Sequence, residues 1–375
     1  MFTITGGSIS KITIPLVKPF VTSFGSIAER EIVLVSLETK EGAIGWGEAP
    51  VLSLPVYGAE IPESAIAVIA RVIFPRVRGV SFAHPEELDT ALGFIRGNEF
   101  AKSAVIMAAY DLYGQLGKKR LVDLIGGTRN EVQNSATISI HERPEDAIEE
   151  ARGYYDAGIR FLKLKIKPGF DYEHARAIRE SFPEAKLMLD ANASYAFSPD
   201  AIAILKKCDA LGLYCLEQPF RARELLAHAK LQREIKAPLA LDESVESYAD
   251  AEQVIELGSA KLVNVKIARV GGLVQALAIN KLCAAHGVPA WVGGMLESPV
   301  GLYANLALAS VPNFDYPIDF LDTFTYLREY ASFFTRVPFE IRGGTVAISL
   351  SGYGLGLELD WERCRSHISE RIPLA

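Results

Sequence analysis

Hydrophobic and polar positions along the chain change their period twice. In the first 50 residues they alternate as in β-strands, and Glu31–Glu38 and Ala43–Glu48 are predicted to form a hairpin. From residue 62 to about 120 the apolar spacing becomes helical, which predicts helices at Glu63–Val77, Pro85–Ile95 and Asn98–Leu116. Strands followed by helices predict a self-contained α+β domain.

From about residue 131, short apolar strands alternate with amphipathic helices over about 190 residues. The predicted strands are Val132–Ile140, Phe161–Ile166, Lys186–Asp190, Leu213–Glu217, Leu239–Asp242, Lys261–Lys266, Ala290–Gly293 and Asp315–Phe320. Such alternation requires parallel strands joined by right-handed crossovers, and eight strands favour a closed barrel over an open sheet. No G-x-G-x-x-G follows the first strand, which weakens the alternative of a dinucleotide-binding sheet. The tail from Pro338, with a strand predicted at Thr345–Leu350, is expected to return to the N-terminal domain.

The second of these strands carries positive charge on one face. In Phe161–Gly169 (FLKLKIKPG) the aliphatic side chains take one face, and Lys163 and Lys165 share the other. By itself this pattern is also typical of an edge strand with a solvated lysine face. Its interpretation therefore depends on what stands at the ends of the other strands.

Several of the predicted strands finish on a charged residue close to where the apolar run stops. These residues are Lys165, Asp190, Glu217, Asp242 and Lys266, and successive members are 25, 27, 25 and 24 residues apart. Each separation is about one strand–helix unit, so the five side chains are predicted to meet at the C-terminal rim of the barrel. For any one of the acids alone, capping a helix N-terminus is the alternative.

Three carboxylates crowded at this rim repel one another, so we expect either raised pKa values or a bound divalent cation. A ligand set of Asp190, Glu217 and Asp242, with no cysteine or histidine, selects a hard ion, Mg²⁺, with Mn²⁺ as a substitute. Lys165 stands one strand before the acids and Lys266 one strand after them, so the two lysines should flank the metal from opposite sides.

A lysine held near a cation and near another lysine loses its proton more easily, and Lys163 can supply that neighbouring charge to Lys165. Two amines that face each other across a metal-bound carboxylate suit abstraction of its α-proton, with the metal stabilising the enediolate. The sequence therefore predicts Lys165, Lys266 and Lys163 as catalytic residues.

The composition narrows the remaining function classes. A chain of 375 residues suggests about two domains, and 49% hydrophobic with 23% charged residues is an ordinary globular composition. A net charge of −7 without a basic run gives little support to nucleic-acid or membrane partners. Four scattered cysteines fit a reducing compartment, and no signal-peptide profile opens the chain, so a cytoplasmic location is expected.

The strand-end motifs resemble the muconate-lactonizing-enzyme subgroup of the enolase superfamily over nearly the whole chain. The residues that carry the resemblance are Lys163-Leu164-Lys165, Asp190-Ala191-Asn192, Glu217-Gln218-Pro219, Asp242-Glu243-Ser244, and Asn264-Val265-Lys266 with Arg269-Val270-Gly271-Gly272. The resemblance implies an α/β fold, a modified (β/α)₇β TIM-type barrel at 129–334, with an α+β capping domain at 1–128 that residues from about 335 to 375 complete. It also implies Mg²⁺ held by the three acids, with Lys165 and Lys266 as the acid/base pair.

Within the subgroup, the segment Gly293–Glu297, the loop Pro19–Gly25 and the context of Arg269 resemble the o-succinylbenzoate synthase / N-succinylamino acid racemase branch. Dipeptide epimerases typically carry Asp-x-Asp at the place of Gly293–Glu297, and this chain has none there. The segment Ser298–Gly301 departs from the branch.

By this resemblance, the synthase removes a proton α to a carboxylate and expels a β-hydroxyl in menaquinone synthesis. Lys165 would be the base and Lys266 the cation that stabilises the enediolate, while in racemisation the two lysines work from opposite faces. The residues expected to bind a small-molecule carboxylate are Phe20, Ser23, Phe24, Tyr57, Asn192, Gly293, Gly294, Met295 and Glu297. A muconate-type cycloisomerase, a dipeptide epimerase and a catalytically inactive barrel that serves as a binding protein remain as alternatives, and a homo-oligomer stays open.

Overall fold

The computed structural model describes residues 1–319, 341–348 and 352–374 of the chain. Both ends of the chain contribute to one four-stranded antiparallel sheet. Its strands, in spatial order, are Ile368–Leu374, Gly6–Thr22, Gly25–Glu38 and Ile44–Ala49. The hairpin predicted in the first 50 residues is present, and the last strand of the tail pairs with the first long strand of the chain.

Helices cover this sheet in the order that the sequence predicts. They are Pro62–Val68, a π-helical stretch Ile69–Ile73, Phe74–Val77, Pro85–Leu92, Glu99–Gly117 and the short Leu121–Leu124, and Phe2–Thr3 pairs with Ser81–Phe82. The first predicted helix is thus continuous but contains a π-helical segment. That segment ends just before Pro75, which has no N–H to donate to the preceding turn.

The helix Glu99–Gly117 approaches the strand Ile44–Ala49 unusually closely. A Cβ on Gly47 would lie 1.9 Å from the carbonyl oxygen of Ala104, and one on Gly45 would lie 2.2 Å from that of Ala108. Only glycine fits at these two positions, because backbone atoms of the helix occupy the space. The close approach fixes the strand that carries Glu48, which reaches the barrel.

Seven parallel strands form the second sheet in sequential order. They are Ser135–Ile138, Phe161–Lys165, Lys186–Asp190, Cys215–Glu217, Leu239–Leu241, Leu262–Val265 and Ala290–Val292. The helices that join and follow them are Pro144–Asp156, Tyr172–Ser181, Pro199–Asp209, Leu225–Glu234, Tyr248–Leu257, Leu273–Ala285 and Pro299–Ala309. Sequential order with helical crossovers is the arrangement that the alternating pattern predicts.

Residues 314–318 supply the eighth position of the barrel. Phe314 makes a parallel bridge to Ala290 in the seventh strand, and Ile318 makes one to Asn134 beside the first strand. The predicted modified (β/α)₇β barrel is therefore confirmed. Phe320, the last residue of the predicted eighth strand, lies outside the described residues.

The barrel has its own interior cluster, separate from the main core. Met188, Cys215, Ala240, Leu262 and Trp291 come from five different strands and are at most 1% exposed. One inward residue per strand is typical of a packed barrel layer. This layer closes the barrel beneath its C-terminal rim, so the rim is a cleft and not a channel.

The structure describes three strands in the tail, and only Ile368–Leu374 returns to the sheet of the N-terminal domain as expected. The predicted strand Val132–Ile140 is two strands in the structure, Glu131–Gln133 and Ser135–Ile138. The strand Thr345–Ala347 pairs with the first of these and with Ile341–Arg342. Residues 349 and 350 of the predicted tail strand lie outside the described residues. The exact extents of the two domains stay a prediction.

Candidate active site

The five strand-end residues lie together on the C-terminal rim. Lys165 is paired in register with Asp190, and Asp190 with Glu217, because their strands are parallel neighbours. Asp242 and Lys266 each directly follow the last residue of a barrel strand. All five side chains are buried, with Lys165 the most exposed at 9%. The residues that the spacing singled out thus occupy one low-dielectric site.

Lys163 is the cation that the acids of this rim share. Its Nζ lies 2.8 Å from Glu217 Oε2, 3.2 Å from Asp190 Oδ2 and 3.3 Å from Asp319 Oδ2. It also lies 4.4 Å from the ring centre of Trp291. Burial alone would lower the pKa of the Lys163 ammonium, but the surrounding carboxylates hold it well above its ordinary value. Lys163 therefore stays protonated and neutralises its neighbours.

Lys165 contacts the same oxygen of Asp190. Its Nζ lies 2.6 Å from Asp190 Oδ2 and 5.9 Å from the ring centre of Phe20. The other oxygen, Asp190 Oδ1, accepts a hydrogen bond from the backbone N–H of Asn192 at 2.9 Å. Burial would raise the pKa of the Asp190 carboxyl, but the charges of Lys165 and Lys163 hold it well below its usual range. The two lysines are neighbours across one carboxylate oxygen.

Lys266 follows the sixth barrel strand, which lies across the eight-membered barrel from the second. Its Nζ lies 2.9 Å from Asp242 Oδ2, 3.6 Å from Met295 Sδ and 4.5 Å from the ring centre of Tyr57. Asp242 Oδ1 also accepts hydrogen bonds from the Tyr57 hydroxyl, at 2.7 Å, and from the Arg269 guanidinium. Burial would raise the pKa of Asp242, but Lys266 and Arg269 hold it below its ordinary value.

Glu217 carries the least compensated charge of the three predicted ligands. Its Oε1 accepts a hydrogen bond from Asn264 Nδ2 at 2.7 Å. Burial and the charge of Asp190 raise the pKa of Glu217 to about 8. Burial and the adjacent Asp242 likewise raise the pKa of Glu243 to about 8. Crowding of acids at this rim therefore raises carboxyl pKa values, as the sequence predicts.

The chemistry of the donor set fits a hard divalent cation, since three carboxylates stand on consecutive strands without sulfur or imidazole among them. The raised pKa of Glu217 agrees with this, because a cation would relieve the repulsion that raises it. In the described conformation the lysine ammonium groups contact the carboxylate oxygens. Within residues 1–319, 341–348 and 352–374, no three acidic, histidine or cysteine side chains are arranged to hold a metal ion. The ligand roles of Asp190, Glu217 and Asp242 stay predictions.

A cavity opens in front of the three lysines. Of the residues predicted to bind substrate, Phe20, Phe24, Tyr57, Asn192, Gly294 and Met295 line it. Further apolar lining comes from Ile27 and Leu52 of the capping domain and from Leu296 of the barrel. This combination of an apolar wall and a charged floor is typical of a site for a small organic acid.

Three residues predicted to bind substrate do not line the cavity. Ser23 Oγ donates to the backbone oxygen of Asn192 at 3.1 Å. Gly293 packs so tightly on Asn264 that a Cβ there would lie 2.3 Å from its Oδ1. Glu297 accepts a hydrogen bond from Asn305 Nδ2 at 2.9 Å. These residues support the walls of the cavity, and their substrate contacts stay predictions.

Sequence reasoning missed Asp319 and Thr137, which also line the cavity. Asp319 follows the eighth strand position, so it carries the same strand-end signal as the other acids, and its Oδ1 accepts a hydrogen bond from Ser135 Oγ at 2.7 Å. Thr137 is paired in register with Lys163 on the neighbouring strand. Both residues could have been found by extending the strand-end argument to the first and eighth strands.

A capped barrel that holds lysines on opposite sides of a cavity, with acids between them, defines an enzyme that works by proton transfer. Comparison with known proteins identifies its family. Residues 8–126 match the family model described as mandelate racemase / muconate lactonizing enzyme, N-terminal domain, and residues 146–363 match the one described as enolase C-terminal domain-like. The chain belongs to the enolase superfamily, in its mandelate racemase / muconate lactonizing enzyme family.

The chain is 40% identical to the o-succinylbenzoate synthase of Geobacillus kaustophilus over 80% of each chain. It is 39% identical to the N-succinylamino acid racemase of Thermus thermophilus over 93% of this chain and 92% of that one. A crystal structure of an enolase-superfamily member from Listeria innocua superposes with a TM-score of 0.94 at 32% identity, covering 100% of this chain and 99% of that one. The predicted superfamily, branch, fold and enzymatic nature are therefore confirmed.

Two general statements follow, one from the family and one from the structure. Members of this superfamily generally use a divalent metal ion. Among the described residues, no helix is both long enough and apolar enough to cross a lipid bilayer.

Proposed function

We propose that the protein is an o-succinylbenzoate synthase that also racemises N-succinylamino acids through the same site. Support comes from the homologues with these two names and, above all, from one observation. The buried Lys165 and Lys266 stand on strands that face each other across the barrel, and both line one cavity. A carboxylate substrate between them exposes its α-carbon to an amine on either side.

In the proposed dehydration, Lys165 removes the α-proton of a succinyl-hydroxycyclohexadiene carboxylate. The C–H electron pair passes into the carboxylate and gives an enediolate. Collapse of the enediolate forms the new double bond between the α- and β-carbons and expels the β-hydroxyl, to which Lys165 returns the proton, so that water is released. The ammonium of Lys266 balances the negative charge that develops on the enediolate. Lys165 takes and returns a single proton while Lys266 stays charged, which suits two lysines held in fixed positions by Asp190 and Asp242.

In the proposed racemisation, one lysine removes the α-proton of an N-succinylamino acid and the other delivers a proton to the opposite face. Enolisation is shared with the dehydration, so one arrangement of charges serves both reactions. Lys163, whose Nζ contacts the same Asp190 oxygen as Lys165, supplies the neighbouring positive charge that favours release of a proton from Lys165.

We further propose Mg²⁺, with Mn²⁺ as a substitute, as the divalent ion of this protein. Asp190, Glu217 and Asp242 would hold it, because they are oxygen donors on three consecutive strands. When bound, the ion supplies positive charge for the substrate carboxylate and its enediolate. A cytoplasmic location, the lack of nucleic-acid partners and a homo-oligomer stay predictions.

The test is a side-by-side assay of the purified protein with the menaquinone precursor and with both enantiomers of N-succinylamino acids. The measurements are formation of the aromatic acid, and exchange of the α-proton for deuterium in D₂O. We expect turnover of the precursor and exchange on both enantiomers. A dipeptide and a muconate are assayed alongside them. Activity confined to either of these would favour the alternative members of the family, and no turnover at all would favour a binding protein.

A further inference from the structure

Arg30 is a fully buried cation in the capping domain that the proposed reaction does not use. It lies in the strand Gly25–Glu38 and is 1% exposed. Its Nε donates to the backbone oxygen of Met295 at 3.1 Å, and its Nη atoms donate to the backbone oxygens of Glu31, at 2.8 Å, Pro50 and Val51. One guanidinium therefore joins the barrel to two segments of the cap.

A buried acid of the cap holds the same part of the barrel from the other end. Glu48 accepts hydrogen bonds from the backbone N–H groups of Ser298 and Gly301, both at 2.9 Å, and from the Ser298 hydroxyl. It thereby satisfies free N–H groups at the start of the helix Pro299–Ala309. The connection between the seventh barrel strand and this helix is thus fixed by Arg30 in its middle and by Glu48 at its end.

The segments that Arg30 holds form the surroundings of one of the two opposed lysines. Met295 Sδ lies 3.6 Å from Lys266 Nζ, and the Tyr57 ring, 4.5 Å from the same nitrogen, belongs to the loop that begins just after Val51. Lys165 contacts Asp190 and Phe20, which lie in neither segment. The guanidinium is thus linked to Lys266 through Met295 on one side and through the loop from Val51 to Tyr57 on the other.

We propose that Arg30 is a positioning residue for the Lys266 face of the active site. Burial lowers the pKa of Arg30 to about 10, so the group is still charged at neutral pH and can hold several carbonyl groups at once. A lysine side chain ends in a single ammonium group, whereas the arginine guanidinium is a planar fork of donors. A lysine at this position therefore cannot reach all of these carbonyl groups. Loss of the fork lets Met295 and the Tyr57 loop shift relative to Lys266, and small misplacements of this kind slow a reaction strongly.

The proposal rests on the racemase activity proposed above. It predicts that replacing Arg30 slows exchange of one enantiomer more than exchange of the other. Exchange of the α-proton for deuterium is followed by NMR in D₂O, separately for the D and L enantiomers of an N-succinylamino acid with an apolar side chain. Lys165→Ala and Lys266→Ala first assign each enantiomer to the lysine that deprotonates it. In Arg30→Lys, we expect exchange of the Lys266-dependent enantiomer to fall by about tenfold or more, and that of the other by less than about threefold.

Asp111→Asn is the matched control. Asp111 is also a buried charge of the cap, and it accepts hydrogen bonds from the backbone N–H groups of Trp46 and Leu355, both at 2.8 Å, which lie outside the Met295 segment. Its loss should slow both enantiomers equally. If Arg30→Lys does not fold, Glu48→Gln tests the same segment and should show the same asymmetry.

Equal slowing of both enantiomers in the Arg30 and Glu48 variants would mean that these residues only stabilise the fold, and would overturn the inference. A wild-type protein that exchanges neither enantiomer would instead overturn the proposed racemase function, and the inference with it. The two failures are distinguished by the wild-type measurement alone.

Discussion

Replacing Lys163 should cost more stability than replacing Lys266, and replacing Lys266 should cost more activity. Removal of the Lys163 ammonium in Lys163→Met takes away the cation that contacts three buried acids, and Asp190, whose pKa is low, stays ionised without it. Breaking a buried ion pair from one side costs about 3–5 kcal/mol of unfolding free energy. In Lys266→Ala, Asp242 keeps the Arg269 guanidinium and the Tyr57 hydroxyl as donors. The cost there is that of one hydrogen bond to a charged group, about 1.5–3 kcal/mol.

The catalytic order should be the reverse, because Lys266 faces the reacting carbon in the proposed mechanism. Loss of a group that transfers a proton costs about 10²–10⁴-fold in rate. Urea unfolding in the presence of EDTA at pH 7.5, followed by circular dichroism, gives the stabilities, and deuterium exchange at the α-carbon of the Lys266-dependent enantiomer gives the activities. Lys163→Met as stable as the wild type, or clearly more stable than Lys266→Ala, would show that this ammonium does not hold the acidic cluster together.

Three further outcomes are expected. Lys165→Ala should abolish turnover while circular dichroism shows an intact fold, and near-normal activity would overturn its assignment as the base. EDTA should remove activity and Mg²⁺ should restore it. Activity that EDTA leaves unchanged would contradict the proposed metal site. Burial lowers the pKa of His228 from 6.5 to about 4, where its neutral ring accepts the Phe220 N–H at 3.2 Å and hydrogen-bonds the Glu224 carbonyl at 3.0 Å. Its contribution of about 3 kcal/mol is therefore present above pH 6.5 and is lost as the pH falls towards 4. Urea unfolding of wild type and His228→Gln from pH 7.5 to 4 measures this, and a constant difference between the two would contradict it.

The charged rim could be predicted from the sequence because one physical rule governs it. Parallel strands in a barrel end at the same rim, so Lys165, Asp190 and Glu217, each the last residue of a strand, had to become neighbours. Asp319 obeys the same rule, because it directly follows Ile318, which bridges to Asn134 beside the first strand. Where the alternation of strands and helices fixes the direction of each strand, the sequence alone predicts which strand-end residues become neighbours.

The walls of the cavity could not be predicted with the same success, because they depend on contacts between distant segments. Gly293 and Glu297 stand in the segment that the resemblance pointed to, yet Gly293 packs against Asn264 and Glu297 bonds to Asn305. Arg30 gave no signal at all. Its partner Met295 is far away in the sequence, and a charged residue in a strand ordinarily indicates a solvated face.

The active site is divided between the barrel and the cap, and this division affects substrate specificity. The groups that transfer protons stand on rigid barrel strands, whereas Phe20, Phe24, Leu52 and Tyr57 come from the cap and form much of the opposite wall. A change of substrate therefore requires changes in the cap and leaves enolisation untouched. The cap is not independent of the lysines, however, because the Arg30 guanidinium binds it to the segment beside Lys266. Changes in the cap that disturb this contact should alter the two faces of the site unequally, and so shift the balance between racemisation, which needs both lysines to transfer protons, and dehydration, which needs proton transfer from Lys165 alone.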